Sequence, residues 1–155
     1  MNIVLVEPDI PWNTGNVGRT CVGTACTLHL VGPLGFSLDD KYLKRAGLDY
    51  WESLDLKVHK GWSSFLGTVP EKCPLYFFEK DGPRSFWEAR FVPEGYLIFG
   101  SETRGFPAEI TEEHGPSFYK IPMRGPVRSL NLSSAAAIAV YEAIRQIEEE
   151  RLKCP

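Results

Sequence analysis

Short apolar runs recur along the chain, at Ile3–Val6, Leu28–Val31, Leu56–His59, Leu75–Phe78, Tyr96–Phe99 and Phe118–Ile121. Most are rich in Val, Ile, Leu and Phe and are bounded by turn-forming residues, which predicts short strands buried on both faces. Between them Val17–Cys26, Asp39–Arg45, Ser63–Leu66 and Ser85–Arg90 carry helical patterning, some for only a turn or two. A last helix is predicted from Leu132 to Glu150, where small apolar residues give way to the charged "EEERLK". Strands alternating with helices specify an α/β fold: a mostly parallel sheet with helices on both faces. No repeat, linker or low-complexity stretch divides the chain, so residues 1–155 read as one domain.

In such sheets ligands bind beyond the carboxyl ends of the strands. Three predicted strand exits are long and rich in Gly, Pro, Asn, Ser and Arg: "VEPDIPWNTGNVGRT" after the first, "FGSETRGFP" after the fifth and "IPMRGPVRSLNLSS" after the sixth. Loops of that length and composition are functional more often than decorative.

Composition narrows the chemistry. The chain is 43% apolar and 24% charged, with no run approaching the roughly 20 residues of a membrane span. The start "MNIVLVEPDIPWN" lacks a basic, cleavable leader, so a cytoplasmic protein is expected. Cys21, Cys26, Cys73 and Cys154 have no C-x-x-C spacing and the three histidines do not cluster with them, so neither a metal site nor a disulfide frame is expected. A net charge of −3 argues against a dedicated non-specific nucleic-acid binder but leaves room for a local basic surface.

The first exit carries Asn13, Gly15, Asn16, Gly18 and Arg19. One reading is a helix N-terminus capped by Asn16 or Thr14. The G-x-G-x-x-G spacing of a dinucleotide site and the Gly-Lys-Ser/Thr of a phosphate loop are both missing. Arg19, one turn into a helix, suits an anion such as an RNA phosphate. In the fifth exit Gly100 and Gly105 bracket Glu102 and Arg104, the pattern of a backbone passing close to something flat, such as an adenine or ribose. At the sixth, Ser129, Asn131, Ser133 and Ser134 crowd the mouth of the last helix although one residue suffices as its cap. The surplus polar groups need partners, and a ligand or a reacting hydroxyl would supply them.

Taken together, "NTGNVGRT", "LIFGSETRG" and "IPMRGPVRSLNLSSAAAIAVYEA" resemble, in order and spacing, the three motifs of the SPOUT superfamily of RNA methyltransferases. The resemblance covers nearly the whole chain. With "PDIPWNTGN", "RAGLDYWE" and "RSLNLS" it is closest to the minimal YibK/TrmL-type tRNA wobble-nucleotide 2′-O-methyltransferases. It implies a trefoil-knotted C-terminal half, S-adenosylmethionine as cofactor, a homodimer, and a tRNA anticodon stem-loop as partner, with cytidine or modified uridine as the nucleotide. By position it implies a cofactor pocket of Phe78, Gly100, Glu102, Gly105, Ile121, Met123, Ser129 and Leu130. It likewise implies Arg19, Glu102, Ser129 and Asn131 as catalytic positions, and Asn13, Asn16, Arg19, Arg104 and Arg128 as substrate contacts. Where related chains carry small hydroxyl residues after the fourth strand this one has "FFEKDG", so Phe78 is expected to offer backbone and ring face only.

Methyl transfer is an in-line displacement, so the protein mainly positions a ribose oxygen. Ser129 and Asn131 would orient the 2′-hydroxyl and Glu102 would orient Arg19, which acts either as base or as oxyanion stabiliser. Lys41, Lys44, Arg45, Arg84, Arg104, Arg124 and Arg128 would form a basic rim for RNA. A non-catalytic RNA-binding module and a nucleotide-dependent oxidoreductase are the readings from other classes; the latter lacks its glycine fingerprint.

Overall fold

The computed structural model describes residues 1–38 and 50–153. The predicted helix Asp39–Arg45, the basic residues Lys41, Lys44 and Arg45, and most of "RAGLDYWE" lie outside the described residues. Among the described residues seven strands form one sheet: β1 (Asn2–Val6), β2 (Thr27–Val31), β3 (Leu56–His59), β4 (Leu75–Phe78), β5 (Arg84–Ser85), β6 (Tyr96–Phe99) and β7 (Tyr119–Lys120). Their order is β3-β2-β1-β6-β4-β7-β5 and every pairing is parallel. Among the described residues the α-helices are α1 (Pro11–Thr24), α2 (Trp62–Leu66), α3 (Ala108–His114) and α4 (Leu132–Lys153).

Strand alternation builds two cores. Ile3, Leu5, Leu28, Leu30, Leu97 and Phe99 face one way, against Val17 and Cys21 of α1 and Ala136, Ala139, Val140 and Ala143 of α4. Val4, Val6, Val31, Phe77 and Ile98 face the other, against Trp62 and Phe65 of α2 and Ile110 of α3. One polar pair interrupts this second face. His29, only 2% exposed, places Nδ1 3.0 Å from His59 Nε2 and Nε2 3.2 Å from Asn2 Oδ1. Because Asn2 Oδ1 can only accept, His29 carries its proton on Nε2 and receives one from His59.

Several elements differ from the sequence-based expectation. The first helix starts at Pro11 rather than Val17, with Ile10 as N-cap, so neither Thr14 nor Asn16 caps it. Pro11 at N1 is preset for a helix, and tertiary contacts tolerate the glycines behind it. Tyr50 Oη donates to the Gly15 carbonyl at 2.5 Å, and a Cβ on Gly18 would sit 3.2 Å from the Trp51 ring. The segment predicted as helix Ser85–Arg90 is strand β5 followed by a single 3₁₀ turn, Phe86–Glu88, begun by Ser85 and Glu88 as reciprocal caps. Helix α3 carries no apolar periodicity that would predict it, since Ile110 is its one buried residue. The strand predicted over Phe118–Ile121 pairs only through Tyr119 and Lys120. The last helix runs on to Lys153.

Strand β7 lies between β4 and β5, so residues 79–83 must cross from one side of it to the other. Glu79 N–H donates to the Tyr119 carbonyl at 2.9 Å and Arg84 N–H to the Phe118 carbonyl at 3.3 Å. At the crossing a Cβ on Gly82 would fall 2.7 Å from the Tyr119 carbonyl carbon. Only glycine fits there.

Candidate active site

The exits of β1, β6 and β7 converge at the carboxyl edge of the sheet, beside the start of α4, around a cavity of about 920 Å³. Phe78, Gly100, Glu102, Gly105, Ile121, Met123, Ser129 and Leu130 all line it, as do Asn13, Arg104, Arg128 and Asn131. Asn16 and Arg19 do not; they lie with Trp12 on the exposed face of α1.

The β6 exit is a tight turn. Ser101 and Gly105 exchange two backbone hydrogen bonds of 2.9 Å each, and Gly105 has φ of +70°. A Cβ on Gly100 would lie 2.5 Å from the Gly105 carbonyl carbon, so the first glycine is required by closure of the turn itself. Its immediate neighbour is protein, not the ligand that the glycine spacing suggests. A Cβ on Gly105 would meet Glu79 Oε2 at 3.1 Å.

The turn holds Glu102 toward the β1 exit. Glu102 Oε2 accepts from the Asp9 backbone N–H at 2.8 Å and Oε1 from Asn13 Nδ2 at 3.0 Å. Asn13, 2% exposed, accepts in turn from Asn131 Nδ2 at 2.9 Å. Asn131 Oδ1 takes the Ser133 N–H at 2.9 Å and the Ser133 hydroxyl at 2.7 Å, while its carbonyl receives Ala135 N–H at 2.9 Å. Asn131 is therefore the N-cap of α4. One polar relay, Glu102–Asn13–Asn131–Ser133, ties three loops together. It accounts for two of the crowded polar residues at the helix mouth, and Ser129 stands exposed on the cavity wall.

Among the described residues Glu102 thus orients Asn13, not the Arg19 that the family resemblance implies. Arg19 lays its guanidinium over Tyr50, 4.8 Å from the ring centroid, a cation–π contact. Tyr50 braces α1 twice, at Arg19 and at the Gly15 carbonyl. Arg104 is shared between Glu7 and Asp9, at 3.3 and 3.1 Å. Hydroxyl donors from Thr103 and Ser101, helped by Arg104, hold the Asp9 carboxyl below its ordinary range. Sequence reasoning missed Asp9, Ser101, Thr103 and Tyr50. A carboxylate between two prolines at a strand exit was visible; its partners, more than ninety residues away, were not. Among the described residues no group of three or more His, Cys, Asp or Glu is arranged to hold a metal ion.

Residues 1–141 match the SpoU rRNA Methylase family. The chain belongs to that family. Matched residues run from β1 through the first half of α4, so all three site loops of this SpoU methylase chain fall within the match. It is 46% identical over 147 residues to a tRNA (cytidine(34)-2′-O)-methyltransferase of Burkholderia ambifaria, covering 94% of each chain. A protein of the same name from Saccharophagus degradans is 48% identical over 148 residues, 94% of this chain and 95% of that one. A solved structure described as concerning the 2-OH methylation of C/U34 on tRNA superposes with a TM-score of 0.89 at 48% identity, over 94% of both chains.

Proposed function

We propose that the protein transfers a methyl group from S-adenosylmethionine to the ribose 2′-hydroxyl of nucleotide 34, the wobble position of tRNA. The names and near-complete coverage of the SpoU methylase relatives support the reaction. The observation that carries it in this chain is the Glu102–Asn13–Asn131 relay at the mouth of the cavity.

The cavity suits the donor. Its volume lies within the roughly 300–1,000 Å³ usual for cofactor sites, and Phe78, Ile121, Met123 and Leu130 supply apolar walls for an adenine. The turn closed by Gly100 and Gly105 offers backbone rather than side chains to a bound nucleoside. When bound, S-adenosylmethionine supplies an electrophilic methyl on a sulfonium. The chain's own contribution is placement. Asn131, locked as a cap and bonded to Asn13, fixes the loop that presents the Ser129 hydroxyl to the ribose. Arg19, exposed beyond the mouth, engages a backbone phosphate. Its fork, all donors and no acceptor, stabilises the oxyanion as the 2′-proton leaves toward solvent.

RNA would approach over exposed basic side chains, among them Arg124, Arg128 and Arg84, whose guanidinium lies 4.4 Å from the Tyr119 ring centroid. A homodimer suits α4: its inner face is buried in the core, while Ile138 and Tyr141 stay 40% and 60% exposed for an isologous contact. No described helix is long and apolar enough to cross a membrane; acting on tRNA, the enzyme would work in the cytoplasm.

An anticodon stem-loop with a single 2′-deoxy substitution at the wobble nucleotide tests the acceptor. It should bind and take no labelled methyl, because only the missing hydroxyl distinguishes it. Undiminished incorporation would move the target to a base or to another nucleotide.

A further inference from the structure

Three loops meet at the carboxylate of Asp9. Its Oδ2 accepts from Ser101 Oγ at 2.7 Å and from Thr103 Oγ1, and its Oδ1 accepts from Arg104 Nη2 at 3.1 Å. Its backbone N–H donates to Glu102 Oε2 at 2.8 Å. Residues 101 to 104 therefore all bond to one residue of the β1 exit. The second guanidinium nitrogen of Arg104, Nη1, lies 3.3 Å from Glu7 Oε2, and Glu7 holds a left-handed φ of 48°. From the β2 exit, Gly35 N–H donates to the Pro8 carbonyl at 2.9 Å, and a Cβ there would lie 2.8 Å from Asp9 Oδ1.

By composition Arg104, 58% exposed beside a site for RNA, reads as a phosphate contact. Its geometry says otherwise. The planar fork gives one nitrogen to each of two carboxylates, a division that an ammonium point charge cannot reproduce. An isolated surface ion pair fixes little, but this one is joined to two hydroxyl donors and two backbone N–H groups of the same turn: Thr103 and Arg104 N–H both point to Ser101 Oγ at 3.3 Å.

We propose that Asp9 and Arg104 are positioning residues: the Glu7–Arg104–Asp9 clamp fixes the 101–104 turn against the β1 exit, so setting Glu102 against Asn13, and Arg104 is not an RNA phosphate anchor. The inference rests on the methyltransferase reading above. It assigns the β6-exit cation to the shape of the donor site and leaves RNA contact to other arginines.

The test uses the full chain, with S-adenosylhomocysteine calorimetry, steady-state methylation of the stem-loop, and stem-loop affinity across a salt series. Arg104→Ala and Arg104→Lys should behave alike, each weakening S-adenosylhomocysteine binding and lowering kcat by roughly tenfold, the scale of a lost charge-assisted hydrogen bond. The slope of log Kd against log salt should match wild type in both. Asp9→Asn should show the same loss and Asp9→Glu should recover most of it. Combining Asp9→Asn with Arg104→Ala should cost little beyond either alone, since both remove one clamp. Should these variants fold poorly, Thr103→Val removes one hydroxyl and no charge, and should weaken donor affinity at an unchanged salt slope. Three results would overturn the proposal: a Lys variant at wild-type turnover, an Ala variant whose salt slope falls by about one with donor affinity intact, or Asp9→Asn and Thr103→Val both at wild-type donor affinity. A wild-type chain that neither binds S-adenosylhomocysteine nor methylates the stem-loop would instead overturn the reading beneath it.

Discussion

Asn13 stands between two loops that are far apart in sequence: it donates to Glu102 Oε1 at 3.0 Å and accepts from Asn131 Nδ2 at 2.9 Å. A side-chain amide is suited to that place because it offers a donor and an acceptor at once, where a carboxylate or a hydroxymethyl group would satisfy one neighbour poorly. Asn13→Ala should leave both partners unpaired, costing roughly 1–3 kcal/mol by urea denaturation and at least a tenfold loss of methyl transfer. Asn13→Asp should be worse at neutral pH, since two carboxylates then face each other. Turnover of the Ala variant within twofold of wild type would break the proposed link between relay and chemistry.

Arg19 sits on the exposed face of α1, outside the cavity. Arg19→Ala should therefore reduce methylation by orders of magnitude while S-adenosylhomocysteine affinity stays near wild type. Arg19→Lys should also fail, because a point charge replaces neither the fork at a phosphate nor the stacking on Tyr50. Calorimetry and single-turnover methylation together separate the two effects; near-native turnover of the Lys variant would show that charge alone is enough.

Gly100 and Gly23 make a matched pair. A Cβ on Gly100 would stand 2.5 Å from backbone, whereas one on Gly23 in α1 meets nothing within 4 Å. Gly23→Ala should stabilise the protein by about 0.5–1 kcal/mol through helix propensity. Gly100→Ala should destabilise it by more than 1 kcal/mol and abolish S-adenosylhomocysteine binding by opening the turn. Thermal melts of both variants would check the contrast, and unchanged stability of Gly100→Ala would show that the turn yields more easily than its packing indicates.

The buried His29 provides a pH prediction. Burial, then the neighbouring His59 and Lys57, lower its pKa to about 4, with Asp55 acting the other way. Unfolded, the imidazole titrates near 6.5, so the unfolded chain binds the proton first. Stability is therefore complete above about pH 6.5 and falls as the pH drops toward 4, by roughly 2–3 kcal/mol for this group. His29→Leu should flatten that acid limb while lowering stability at pH 7.5. Urea midpoints for wild type and variant at pH 7.5 and 4.5 measure it; equal acid losses would place the titration elsewhere.

The strands were legible because each carries its own apolar run, and Leu97 and Ile98 show why alternation mattered less: both faces are buried, so both are apolar. The start of α1 was hidden because Gly15, Gly18 and two asparagines read locally as a loop. The contacts that make them helical come from Tyr50 and Trp51, over thirty residues on. Strand β5 was hidden for a different reason. With two residues paired only to β7, it owes its conformation to the crossing at Gly82 and not to Arg84 or Ser85 themselves. At the site, the residue types in the strand exits pointed to the right loops, and Gly100 and Glu102 could be picked out in advance. What each residue touches could not: Glu102 meets Asn13 and Asp9, and Arg104 meets Glu7, across separations no local pattern encodes.

Strand β1 lies between β2 and β6, and its pairing with β6 joins Asn2 to Tyr96 and Leu5 to Phe99. During synthesis β2 follows β1 closely, but β6 leaves the ribosome about ninety residues later. At 5–20 residues per second that is a delay of roughly 5–20 seconds. Through that interval the second edge of β1, with the run "IVLV", has unpaired backbone groups and no native neighbour. An open apolar edge of that kind is a template for another chain. Strand β1 is thus a point at which a chaperone would act on the nascent chain, in the interval before β6 emerges to cover its second edge.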